Sequence, residues 1–470
     1  MNPFPTAPLM TDKRPPLTRT MARFAANADG FPPLARSRAA DAMLDCIGCM
    51  LAGSREELAG ILRRVLAVQA QAGPQAPAAL VGSAAYASAP DAALFNGAIA
   101  HALDYDDTNH PAYAHPSAVI VPALLAAAAL APVTGADLVT AYIAGFEVFG
   151  KLGRAMNTRH YKRGWHPTAT FGTLAATVAA GRLLRLSEAQ MVMALGIAAS
   201  SAGGLRVNFG SMVKPLHAGQ AARNGVLAVM LAREGFVASA ESLEHDYGYL
   251  EVFNAGIGFD PAHLMALGER LEILTEHGLA LKPYPSCGAT HPGIEAALQL
   301  HQALGGAAIE SVRAGVCEMA FAPLIYVKPE SALQGKFSLH FCIAAALLEG
   351  KVGIATFTAE KIADRAIADL IPRITMEVDD ELRGDGEFAT RVTVNTRDGK
   401  RHERLVPLAM GKPARWFSAD IMRAKFDDCA RVVLDASARD LAYSRWRAMD
   451  STQPVEPLLR TLHAVAGVAA

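Results

Sequence analysis

Lys282-Pro-Tyr-Pro-Ser-Cys-Gly-Ala-Thr-His-Pro292 divides a chain of 470 residues into two textures. Upstream, from Ala22 to about Gly268, apolar residues recur at helical spacing almost throughout. The pattern predicts helices over Ala92–Leu103, Ala136–Phe149, Thr168–Leu184, Glu188–Ser201 and His217–Glu234. Turn signals at 90–91, 134–137 and 186–188 separate them, and Ser187 is placed to cap the helix that follows it. These helices are apolar on several sides and so must bury one another. Downstream the pattern mixes. A helix over Pro292–Leu304 is followed by Ser311–Met319, Tyr326–Pro329 and a second helix over Leu339–Glu349. Ile374–Val378 and Ala389–Val394 then alternate as strands do, with Asp398-Gly399 as turn chemistry. After Gly411 helical spacing returns over Ser418–Leu434 and Ala436–Trp446. The expected fold is mainly α: a large all-helical domain (21–280 and 409–470), an inserted smaller α+β lid domain (281–408) and a flexible N-terminal tail (1–20).

Composition narrows the function classes. Half the residues are hydrophobic (51%) and only 19% are charged, enough apolar surface for a large core. Alanine dominates many stretches, which favours helices packed closely. With 44 basic and 45 acidic residues the net charge is −1, so there is no basic excess for nucleic acid. The longest apolar run, Ala118–Val133, is short for a membrane span and contains Pro122 and Pro132, and it reads as a buried helix. Met1–Thr18 holds five prolines and no apolar h-region, unlike a secretory signal. Of the six cysteines only Cys46 and Cys49 are close, and they lie inside an apolar helical stretch as packing residues. Reduced thiols and no export signal point to the cytoplasm.

Four polar clusters stand out, because burying polar groups is costly without partners. The first, His101-Ala-Leu-Asp-Tyr-Asp-Asp-Thr-Asn-His-Pro-Ala-Tyr-Ala-His-Pro-Ser117, links two apolar helices. Its aspartates and histidines suit a metal or acid/base work, and Asp104 and Thr108 also suit helix capping. The second, His160-Tyr-Lys-Arg-Gly-Trp-His-Pro167, opens a small-residue helix, whose free amides favour a carboxylate. An exposed basic turn anchored by Trp165 is the plainer reading. The third, Ser201-Ala-Gly-Gly-Leu-Arg-Val-Asn-Phe-Gly-Ser-Met-Val-Lys-Pro-Leu-His217, permits close ligand approach through its glycines but lacks a P-loop ending. Lys214, just before Pro215, is expected outside the next helix. The fourth is the Lys282–Pro292 stretch at the domain junction, a favoured place for a ligand cleft. Cys287 there is a conceivable nucleophile with no partner base singled out by spacing.

Taken in order, these motifs resemble the MmgE/PrpD family. The likeness rests on Asn96-Gly, His101-x-Leu-Asp-Tyr-Asp-Asp-Thr108, His115-Pro-Ser, Gly145-Phe-Glu, Gly164-Trp-His166, Lys214-Pro-Leu-His-Ala-Gly219, Lys282-Pro-Tyr-Pro-Ser-Cys and Phe337-Ser-Leu. It spans about residues 40–430. It implies a helical domain with a smaller α+β lid, a homodimer, and catalysis without metal or organic cofactor. The family's activities include 2-methylcitrate dehydration, cis-aconitate decarboxylation and iminodisuccinate epimerisation.

By that resemblance the active-site positions are Asp104, Thr108, His115, His166, Lys214, His291 and Tyr326, with Thr108 holding the loop or substrate; Arg206 is a further candidate for binding substrate. His110 is the alternative to His115, because the Thr108–His115 loop is one residue longer than in the decarboxylase branch. Lys214 and His166 are expected to clamp carboxylates, with Arg206 in support. His115 and His291 are expected to move protons, Asp104 to orient a histidine and Tyr326 to donate from the lid. The expected activity is a lyase, dehydratase or decarboxylase, on a small di- or tricarboxylate. An epimerase of a dicarboxylate uses the same residue types, and a catalytically inactive scaffold is the reading without chemistry. No nucleic-acid or membrane partner is expected.

Overall fold

Gly97 and Gly219 meet where the Ala89–His101 and Val213–Arg233 helices pack. A Cβ on Gly97 would lie 2.7 Å from the Gly219 Cα, and a Cβ on Gly219 would lie 2.2 Å from the Leu94 carbonyl oxygen. Both obstacles are backbone, so only glycine allows this approach. The Ser117–Ala128, Gly135–Met156 and Pro167–Leu183 helices complete the surrounding bundle. Alanine and glycine at the crossings are therefore what lets so many apolar helices share one core. The computed structural model describes residues 14–463 except 74, 76 and 383–387. The fold is mainly α.

One apolar core runs from Leu17 to Leu281 and is rejoined by Phe417, Met422, Phe426, Ala430 and Trp446. A second core holds residues between Ala289 and Val406. Two small strands, β1 (Ala78–Ala79) and β2 (Tyr86–Ala87), pair at the edge of the helical body. The second core is built on β3 (Ile309–Val316), β4 (Ile374–Val378), β5 (Thr390–Thr396) and β6 (Arg401–Val406), in the order β4-β3-β5-β6. β3 and β4 are parallel and the other pairs antiparallel. The His291–Leu304 and Leu339–Glu349 helices pack on this sheet. Asp398-Gly399 makes the β5–β6 turn, with Gly399 at φ +82° and the Thr396 amide donating to the Lys400 carbonyl at 2.9 Å.

Local signals explain the element ends. Ser187 caps Glu188–Ser201: its hydroxyl accepts from the Gln190 amide at 3.3 Å, and the Gln190 side chain accepts from the Ser187 amide at 3.1 Å. Cys46 and Cys49 are buried free thiols inside the Pro33–Gly53 helix, where burial raises both pKa values. The Ala118–Val133 run forms the buried Ser117–Ala128 helix, through Pro122. Among the described residues no helix is long and apolar enough to cross a membrane.

Two expectations need correction. The first helix, Leu17–Asn27, begins inside the expected tail of residues 1–20. Leu17 and Thr18 are buried, and the Thr18 amide donates to Glu244 Oε2 at 3.0 Å. The rest of that tail, residues 1–13, lies outside the described residues. Lys214 is also not outside its helix. It is the second residue of Val213–Arg233, and Pro215 is the third, where the missing amide hydrogen costs nothing.

Gly219→Ala should destabilise the protein by about 1–3 kcal/mol, because the added methyl meets immovable backbone. Urea unfolding of the two proteins measures this, and an unchanged midpoint would contradict the close crossing.

Candidate active site

The first polar cluster is a loop clamped at both ends. Asp107 closes it against the Ser117–Ala128 helix, accepting from the Ser117 amide at 3.0 Å and hydroxyl at 2.6 Å. Thr108 exchanges backbone hydrogen bonds with Ala280, at 2.8 and 2.9 Å, which ties the loop to the segment leading into the second core. Asp104 stands in the left-handed region at φ 53°, which aspartate tolerates better than most residues. Neither Asp104 nor Thr108 caps a helix.

This clamping brings two distant ammonium groups to one carboxylate. Lys214 Nζ donates to Asp104 Oδ1 at 2.7 Å, and Lys282 Nζ lies 3.2 Å from the same oxygen. Lys282 also donates to the Asp104 carbonyl at 2.8 Å. All three side chains are buried. Burial works against the Asp104 charge, but Lys214, Lys282 and His115 outweigh it and hold the carboxyl well below its usual range. Asp104 thus serves lysines first. Its distance to His115 Nε2 is 3.8 Å.

Imidazoles gather beside this triad. His115 Nδ1 donates to the Asp107 carbonyl at 2.9 Å, which leaves Nε2 as the basic nitrogen on the Asp104 side. Asp106 lies between His115 Nδ1, at 3.4 Å, and His101 Nδ1, at 2.9 Å. His166 Nδ1 is 3.1 Å from His217 Nδ1, and His166 Nε2 has no hydrogen-bond partner among the described residues. His291 begins the His291–Leu304 helix and donates from Nε2 to the Ser286 carbonyl at 3.1 Å, leaving Nδ1 with its lone pair. Burial, reinforced by Lys282, lowers the His291 pKa to about 3. Burial lowers His101 to about 3 against the pull of Asp106, and drives His166 well below the usual range, reinforced by His101 and Lys214.

These groups border a cavity of about 410 Å³ where the helical body meets the second core. Asp104, Thr108, His110, His115, His166, Arg206, Lys214, His291 and Tyr326 all line it, so every residue singled out in the sequence converges on one space. His110 packs its ring 5.7 Å from that of His277. Of the two histidines, His115 is the one on the triad. Arg206 stacks its guanidinium 3.6 Å over the Tyr161 ring and donates to the Tyr161 carbonyl at 2.9 Å. Tyr326 comes from the second unit and reaches the glycine loop, where a Cβ on Gly210 would lie 3.5 Å from its hydroxyl. Cys287 also lines the cavity, but burial and then Asp104 raise its pKa, which leaves a poorly nucleophilic thiol. The second cluster divides: Lys162 and Arg163 are exposed, as an exposed basic turn requires, while His160 and His166 are buried.

Sequence reasoning missed Lys282, Asp106 and His217 as site residues. All three stand inside the quoted clusters, but their partners are 178, 5 and 51 residues away, and nothing local marks the pairing. His101, Asp104, Asp106 and His115 offer atoms within 4.8 Å of one another, a spacing that suits a cation. Two ammonium groups already neutralise Asp104 at that point, so a divalent ion there would meet repulsion.

The MmgE/PrpD N-terminal domain matches residues 19–262, and the MmgE/PrpD C-terminal domain matches residues 284–446. A cis-aconitate decarboxylase of Aspergillus terreus (strain NIH 2624 / FGSC A1156) is 28% identical over 95% of this chain and 96% of its own length. A cis-aconitate decarboxylase-like protein, oryM, of Aspergillus oryzae is 28% identical over 90% of this chain and 92% of its own. The cis-aconitate decarboxylase of Homo sapiens is 29% identical over 66% of each chain.

The depressed imidazoles set a stability slope. His101 and His291 titrate at about 3 and His160 at about 4, against 6.5 in the unfolded chain. Below pH 6.5 the unfolded chain therefore binds protons that the folded chain refuses, and each such group costs about 1.4 kcal/mol per pH unit. Burial raises Asp107 to about 8 and Asp45 to about 6, and these two carboxyls act in the opposite sense. The histidines outnumber them, so stability should fall by about 1–3 kcal/mol from pH 7 to pH 5. Urea unfolding at the two pH values checks this; equal stabilities would contradict neutral buried imidazoles.

Proposed function

The chain belongs to the MmgE/PrpD family, and from that premise we propose that it is a lyase that decarboxylates a small unsaturated polycarboxylate of the cis-aconitate type. The observation that carries this reading is the pair Lys214 and Lys282, sharing Asp104 beside three imidazoles on a cavity sized for a tricarboxylate. Relatives named for cis-aconitate decarboxylation that align over nearly the full chain support it.

The chemistry follows from charge. A polyanion entering the cavity meets Lys214 and Lys282, whose remaining protons bind carboxylates through charge-assisted hydrogen bonds. Asp104 keeps both ammonium groups in place. Arg206 holds a second carboxylate at the glycine-loop side, Tyr326 donates from the second unit, and Thr108 fixes the loop that carries Asp104. The incoming charge also favours protonation of the neutral imidazoles around it.

Decarboxylation breaks one C–C bond and releases CO₂. The electron pair stays on carbon and spreads through the adjacent double bond toward another carboxylate, where the cations stabilise it. A proton must then be delivered to carbon. His115 delivers this proton: its Nδ1 is fixed on the Asp107 carbonyl, and Nε2 is the nitrogen that carries the mobile proton. His291, which lines the cavity and carries its lone pair on Nδ1, is the second proton-handling group.

Proton NMR of cis-aconitate with the enzyme in D₂O should show a decarboxylated product with one deuterium on the carbon that received the proton. Water addition or loss, or deuterium exchange without loss of CO₂, would replace decarboxylase with dehydratase or epimerase. His115→Ala should lower turnover by about 10²–10⁴-fold with the fold intact, as expected for loss of one positioned acid/base. Near-normal turnover in that variant would remove His115 from the reaction.

A further inference from the structure

His217 has no part in the roles above, yet it makes the one hydrogen bond to the His166 ring among the described residues. It sits on the Val213–Arg233 helix, one turn after Lys214, and is buried. It does not border the cavity, because the glycine loop covers it: a Cβ on Gly204 would lie 3.4 Å from the His217 ring. His166 does border the cavity, at the N-terminus of the Pro167–Leu183 helix. Its ring is held edge-on to Phe209, at 4.8 Å between centroids, and parallel to His101, at 6.0 Å. Two Nδ1 atoms 3.1 Å apart share a single proton. One histidine is the donor and the other the acceptor.

The direction of that proton decides what His166 can offer a ligand. If His166 donates, its Nε2 is a bare lone pair, which repels a carboxylate. If His217 donates, the neutral His166 carries its own proton on Nε2, the nitrogen that has no other partner. We propose that His217 is a positioning residue that fixes the tautomer of His166, donating from its Nδ1 so that His166 presents Nε2–H to a substrate carboxylate. The inference rests on the polycarboxylate reading above and deepens it, because it assigns one carboxylate of the substrate to His166 Nε2. A pair of this kind supplies a neutral donor beside the cations Lys214 and Lys282.

The test compares His217→Leu, which removes the donor, with His217→Asn, whose amide N–H stands near the position of Nδ1. The probes are cis-aconitate turnover and binding of tricarballylate, the saturated tricarboxylate. His217→Leu should raise KM and the tricarballylate Kd by about 10–100-fold while kcat changes less than about threefold, the pattern of lost uniform binding. His217→Asn should stay within about threefold of wild type in each. In the wild-type complex with tricarballylate, ¹⁵N NMR of labelled histidine should show His166 protonated on Nε2 and bare on Nδ1, the resonances being assigned with His166→Gln. An Asn variant as weak as the Leu variant, a Leu variant that binds like wild type, or a His166 proton on Nδ1 would each overturn the proposal. Failure of wild-type enzyme to bind tricarballylate or turn over cis-aconitate would instead overturn the polycarboxylate reading and the proposal with it.

Discussion

Two buried ammonium groups held on one carboxylate are the constraint around which the rest of this protein is arranged. Lys214 comes from the first turn of a long helix, Lys282 from the junction between the two cores, and Asp104 from a clamped loop between helices. A buried charge is tolerated only with partners, and removing one member of such a set strands the others. The protein supports the arrangement from a fourth direction. Lys425, on the Ala419–Ala430 helix, donates to the carbonyls of Tyr105 at 2.9 Å and Lys282 at 2.8 Å, and pairs with Asp45 at 2.6 Å. The segment that returns to the helical body after the second core therefore fixes the backbone on both sides of the Asp104–Lys282 contact.

The two cores divide the work. The helical body supplies the fixed charges and most of the imidazoles, positioned by helix ends and by crossings that only glycine and alanine permit. The second unit supplies His291 and Tyr326. Its sheet and two helices bury their own apolar faces against each other. The cavity lies where the two units meet and is lined by residues of both.

Much of this was legible in the sequence, for identifiable reasons. Glu188–Ser201, Leu339–Glu349 and Ile374–Val378 have the same limits in pattern and structure, because a strong period coincides with a cap or a turn at each end. Lys214 was misplaced because a following proline signals a helix boundary, yet a proline at the third helical position leaves no amide to lose. The Leu17–Asn27 helix was hidden by the prolines before it: Pro16 is its N-cap, and the proline-rich texture ends there rather than at residue 20. Eight of the nine candidate residues that line the cavity stand in the polar clusters, and Tyr326 came from the family resemblance. Which of them touch was not legible, since Lys214 with Asp104, Lys282 with Asp104 and His166 with His217 are tertiary pairings without a local signature. The same holds for Asp104, read as a partner for histidine and found holding lysines.

The central claim is that neutral imidazoles and shared ammonium groups wait together for a polyanion. Its most direct test is calorimetric titration of tricarballylate into the wild-type enzyme at pH 7, repeated in buffers of different ionisation enthalpy. The account predicts saturable binding accompanied by net proton uptake, because the ligand's charge raises the pKa of imidazoles that are neutral in the empty cavity. Binding with no proton uptake, or no binding at all, would contradict it.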